Sequence, residues 1–80
     1  MTEIKYDEYH LIYNFKLGDD LITYDKLVEW NVNTNIFDLY EYAIHWVKKY
    51  GYKYGKCLFV DICKGENLIN TLYWALDIER

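Results

Sequence analysis

His10, His45, Cys57 and Cys63 are the side chains in this sequence best suited to hold a transition metal or attack an electrophile. Their spacing fits neither task. Structural zinc sites draw ligands in short pairs, so that one turn of chain presents two donors to a tetrahedral ion, and no such pair occurs here. The sequence contains no serine, which removes the serine hydrolases. Either cysteine would need the fold to bring it to His45, and both lie in an apolar segment where thiols tend to be inert. The carboxylate pairs Asp7-Glu8 and Asp19-Asp20 sit at chain or turn positions with no sign of the burial that shifts a pKa. Gly51 and Gly55 are flanked by tyrosines and lack the spacing of a phosphate-binding loop. These residues predict no catalytic centre, no cofactor and no bound metal.

Charge is distributed more tellingly. Residues 1–47 carry nine acids against three lysines, a balance of −6, whereas residues 48–64 carry five lysines against one aspartate, a balance of +4. An acidic body therefore holds one basic, tyrosine-rich segment, KKYGYKYGK. In that segment Lys48, Lys49, Lys53 and Lys56 are candidates for phosphate contacts, with Tyr52 and Tyr54 (and Tyr50) for base stacking. A net charge of −4 argues against this reading, because nucleic-acid-binding domains are usually basic. The acidic residues Asp7, Glu8, Asp19, Asp20, Asp25, Glu29, Asp38 and Glu41 instead create a field that steers towards basic protein surfaces. Such surfaces are often nucleic-acid clefts, which a carboxylate array can occupy as a phosphate mimic.

The elements that must position these residues follow from periodicity. Ile36, Leu39, Tyr40, Ala43, Ile44, Val47 and Tyr50 recur at three- and four-residue spacing, predicting one long helix over about residues 35–50. Asn35 is placed to cap it, Lys48 and Lys49 to complement its C-terminal dipole, and Gly51 to end it in a left-handed conformation. From Glu8 to Leu17 the alternation puts Tyr9, Leu11, Tyr13, Phe15 and Leu17 on one strand face and His10, Ile12, Asn14 and Lys16 on the other. Gly18-Asp19-Asp20 is turn chemistry. The segments over 20–32 and 68–79 read as strand or helix; short glycine turns and aromatic, β-branched content favour strands. In CLFVDIC, Leu58, Val60 and Ile62 form one face and Cys57, Phe59, Asp61 and Cys63 the other.

The expected fold is thus α+β, a single domain over residues 1–80 in the order ββαββ: an antiparallel sheet with the helix packed on one face. The helix stripe should meet Leu11, Tyr13, Phe15, Leu58, Val60, Ile62, Leu72 and Trp74. The uncovered face should carry Ile12, Phe59, Tyr73 and Ala75 beside Asp61, Asp77 and Glu79, either as an ordinary solvated sheet or as a partner surface. Two cysteines six residues apart in one strand stand roughly 20 Å apart, too far for a disulfide, so free thiols in a reducing compartment are expected. No apolar run approaches the ~20 residues of a membrane span, and the charged N-terminus has no signal-peptide pattern, which points to a soluble cytoplasmic protein. Hydrophobic residues make up 52%, which excludes disorder. Ten tyrosines and three tryptophans exceed what so small a core can bury with every polar tip satisfied, so some fill half-buried sheet positions or lie on the surface.

In overall profile, through acidic stretches such as YDEYH, GDD and FDLYEY and abundant tyrosine, the chain resembles small viral or mobile-element anti-defence proteins of the anti-CRISPR type. That resemblance implies action by binding, inside an infected host cell, on a protein with a basic surface such as a nuclease or a CRISPR effector. The partner-binding candidates read from the acidic and aromatic residues are Asp19, Asp20, Asp38, Glu41, Tyr42, His45, Trp46, Asp61 and Asp77. A nucleic-acid-binding regulator using Lys48 to Lys56 is the alternative. A homodimer paired through sheet faces or edges is the third.

Overall fold

In the computed structural model, which describes residues 5–73, the expected order ββαββ is present. Strand β1 spans Tyr6–Leu17, β2 Asp20–Asn31, helix α1 Ile36–Tyr50, β3 Lys56–Lys64 and β4 Asn67–Leu72. The sheet order is β2-β1-β3-β4 and every neighbouring pair is antiparallel. Both ambiguous segments are strands where they are described. Trp74, Ala75, Asp77 and Glu79 lie outside the described residues. No helix among those described is long and apolar enough to cross a membrane.

Each hairpin closes in two residues. Leu17 pairs with Asp20 across Gly18-Asp19, and Lys64 pairs with Asn67 across Gly65-Glu66. Gly18 and Gly65 both take φ +61°, the first-position glycine conformation that matches the twist of the flanking strands. Turn length then fixes the register of all twelve β1–β2 pairs. One face of β1 is buried at Tyr9, Leu11, Tyr13 and Phe15, as its alternation predicts, while Leu17 is exposed.

Helix α1 lies over the central strands and buries Leu39, Ala43, Ile44 and Val47 against β1, β3 and Leu72 of β4. Each large apolar side chain so enclosed contributes about 1.5–3 kcal/mol. Asn35 caps the helix as expected, its Oδ1 accepting from the Phe37 N–H at 3.0 Å. Gly51 does not end it in a left-handed residue. Its φ of −69° keeps the chain right-handed into a short 3₁₀ turn, Gly51–Tyr54, and the positive φ falls at Gly55, +106°. Glycine is needed at 51 for space: a methyl there would stand 2.5 Å from Val47 Cγ2 and 3.3 Å from Phe15 Cε1.

Strand β3 departs from simple alternation. Asn14 pairs with Phe59 but Phe15 pairs with Cys57, so Leu58 is an extra residue, a β-bulge. The core face of β3 is therefore Cys57, Val60 and Ile62, and Leu58 is only half-buried. A second bulge at Ile69 shifts β4 in the same way.

Aromatic side chains fill the seam between α1 and the edge strand β2. Trp46 stands 4.7 Å from Tyr13 and 5.2 Å from Tyr24, centroid to centroid, and Tyr54 closes on Phe15 and Tyr24 at 5.3 Å each. Of the tyrosines, Tyr13 is fully enclosed; Tyr24, Tyr40, Tyr42 and Tyr54 are half-buried, and Tyr6, Tyr50 and Tyr73 are exposed. The Tyr13 hydroxyl donates to the Ala43 carbonyl at 2.7 Å, and burial pushes its pKa far above that of a free phenol.

Candidate binding surfaces

A four-stranded sheet with one helix leaves its second face open, and register decides what that face presents. One row across the strands reads Asp25, Ile12, Asp61, Thr71; the next reads Leu27, His10, Cys63, Leu68. On the other side of the first row Thr23, Asn14 and Phe59 align, with the Tyr73 ring 5.8 Å from Phe59. Leu21, Leu27, Leu68 and Tyr73 are all more than half exposed. Among the described residues this apolar ground holds four carboxylates, Glu8, Asp25, Glu29 and Asp61.

Two of them oppose one another. Glu8 and Glu29 are direct cross-strand partners, and no cation among the described residues bridges them. Like charges so placed are destabilising. By contrast Asp7, on the helix side of the same strand, accepts from Lys64 Nζ at 3.0 Å. Asp25 accepts from His10 Nδ1–H at 2.9 Å, and Asp61 accepts from the Thr71 hydroxyl at 2.8 Å. At the hairpin-tip end of the face Lys16 stands opposite Lys56.

His10 and Cys63 are also cross-strand partners, with Asp25 on the far side of the imidazole. The order nucleophile, base, carboxylate is that of a thiol enzyme. Yet loss of solvation, then the Asp61 and Asp25 carboxylates, push the Cys63 thiol up, away from the thiolate such chemistry needs. His45 is exposed on α1, across the sheet from Cys63, and Cys57 is buried in the core. No group of three or more metal-ligating side chains converges among the described residues.

The residues singled out from sequence divide between three places. Asp61 is on the open face. Asp19 and Asp20 are exposed at the β1–β2 turn. That end of the molecule also holds the lysine-rich turn, because Gly55 packs on Lys16 and Leu17. Asp38, Glu41, Tyr42, His45 and Trp46 are on α1, and since α1 covers the inner face they stand across the sheet from Asp61. They do not form one site. Asp77 and the side chain of Tyr52 lie outside the described residues.

The basic segment is likewise divided. It is a helix end and a 3₁₀ turn rather than a loop, and Tyr54 packs into the aromatic seam against Phe15 and Tyr24. Lys53 and Lys56 are exposed on the turn and at the start of β3. Lys48 and Lys49 join Tyr42, His45, Trp46 and Tyr50 in lining a groove of about 430 Å³ along α1. Residues assigned from sequence to two different functions thus share one surface. The outer-face carboxylates Glu8, Asp25 and Glu29 were visible as acidic residues but not as a set.

Compared with protein-family models, with curated proteins and with solved structures, this chain gives no match.

Proposed function

We propose that the protein acts by binding, without catalysis, and that the open sheet face is its docking surface for a protein with a basic patch. The observation that carries this reading is the opposed Glu8–Glu29 pair on an exposed apolar face that also holds Asp25 and Asp61, beyond the His10 row. A cation supplied by a partner relieves the repulsion, so the fold's local cost becomes binding energy. Ile12, between Asp25 and Asp61, and Phe59 with Tyr73 beside them supply the apolar contacts, and Glu8 and Glu29 add charge at one end of the face. A nucleic-acid enzyme, whose cleft is built to accept phosphates, is the partner class that best fits four carboxylates on so small a face. The resulting activity is inhibition or regulation of that enzyme in the cell, as the anti-defence resemblance implies.

The test is retention from a host lysate, with and without nuclease, on wild-type, Phe59→Asp and Asp25→Lys baits. One basic nucleic-acid enzyme held by wild type in both lysates and lost by both variants supports the reading. Equal retention by all three contradicts it.

A second reading has its own observation. The open face carries Glu8 and Glu29 at one end and Lys16 and Lys56 at the other, so two copies packed face to face in opposite directions would set acids against lysines. Light scattering separates the two: a dimer mass that Phe59→Asp reduces to a monomer favours self-association.

A further inference from the structure

We infer that the groove along α1 binds a nucleobase carrying a phosphate, as a free nucleotide or within a single strand. The site lies across the sheet from the open face and does not depend on it. Tyr42, Trp46 and Tyr50 recur every four residues, so one flank of the helix carries a stepped row of rings about 6 Å apart along the axis. Trp46 and Tyr50 are 5.6 Å apart, and Tyr42 is backed by Trp30 at 5.7 Å. Cations lie over this row. Lys26 Nζ stands 5.7 Å from the Trp46 centroid, and Lys49 Nζ stands 5.4 Å from that of Tyr50. Among the described residues no carboxylate lines the groove.

The chemistry selects the ligand. Rings offer planar apolar contact, and any base presents a π-face to them. Lysine ammonium groups suit phosphate as point charges. The helix C-terminus opposes an anion with roughly half a negative charge. Lys48 and Lys49 bring two full positive charges to the same turn, so the balance stays positive. The groove volume falls in the range of small-ligand sites, and the described residues that line it all come from one helix. That makes a ledge, which admits one exposed base and its phosphate but not a paired duplex.

The experiment titrates the full chain with adenosine monophosphate, with a short thymidine oligonucleotide and with an acidic peptide, following backbone amide shifts over residues 42–50. Shifts with both nucleotides show that one base and phosphate suffice, and shifts with the oligonucleotide alone assign the site to a strand; either result supports the proposal. Tyr50→Leu should weaken binding about tenfold. The double variant Lys48→Gln/Lys49→Gln should lower the log–log salt slope by about 1.4. All three side chains are exposed, so these variants keep the fold, which circular dichroism checks. No shift with either nucleotide, response to the acidic peptide alone, or undiminished affinity in the double variant overturns it.

Discussion

Glu8 and Glu29 face each other across the β1–β2 ladder on the side of the sheet that α1 leaves open. Opposed like charges cost a few tenths of a kcal/mol to about 1 kcal/mol. Replacing Glu8 by Gln should therefore raise stability by that amount. Urea unfolding reads it as a higher midpoint at unchanged slope. A lower midpoint would mean that Glu8 makes a favourable contact in the folded chain.

The tie between β1 and α1 is the hydrogen bond from Tyr13 to the Ala43 carbonyl. Tyr13→Phe keeps the stacked ring and removes one buried hydrogen bond, worth about 1 kcal/mol. In a domain of this size that lowers the melting temperature by about 4–8 °C. The substitution should also change the response to alkali. The folded chain holds the Tyr13 proton above the pH near 10 at which a free phenol loses it. This group's contribution is therefore complete below pH 10 and lost as pH rises beyond it. Tyr13→Phe should flatten that alkaline decline, and an unchanged alkaline slope would contradict the burial.

Trp30 presents the reverse case. Its indole Nε1 is buried and meets no acceptor among the described residues, a penalty of about 1–3 kcal/mol. Trp30→Phe removes the donor and some packing against Tyr42, two effects of opposite sign. The net change should stay within about 1 kcal/mol by urea unfolding, well short of the 3–5 kcal/mol typical of losing a packed aromatic side chain.

Strand β2 is a twelve-residue sheet edge, long enough to recruit another strand. Lys26 points inward from it, over Trp46, and an inward charge on an edge strand resists pairing because any partner strand must bury it. Lys26→Val should raise the solution mass towards oligomers in light scattering at concentrations where the wild type does not associate.

How much of this was legible depends on the length scale of each cause. Alternation at Tyr9–Phe15 is local, as is the helical stripe from Ile36 to Val47, so β1, α1 and the order ββαββ were legible. The segments over 20–32 and 68–79 read as strand or helix, and only a preference for strands followed from their turns and composition. The Glu8–Glu29 contact was also within reach, because a two-residue turn fixes register and nine steps outward from Leu17 and Asp20 arrive at these two residues. The bulge at Leu58 was not, since pairing with β1 rather than local pattern sets it, and so Cys57 and Leu58 exchange places. Gly51 misled for a similar reason: its role is clearance from Val47 and Phe15, which no local signal encodes. The division of the site residues between two faces required knowing which face the helix covers. Trp46 takes part in both the groove and the aromatic seam, and Tyr54 reaches it there, 6.4 Å between centroids, because the chain turns after Gly51.

The central claim is that the open carboxylates are kept for a partner at a cost to the fold. Calorimetric titration of the retained partner against wild type and Glu29→Lys, over a range of salt, joined to melting curves of both, tests it most directly. The account predicts that Glu29→Lys melts higher, because it gains a cross-strand pair with Glu8, yet binds more weakly and with a flatter salt dependence. Equal affinity at every salt concentration would contradict it.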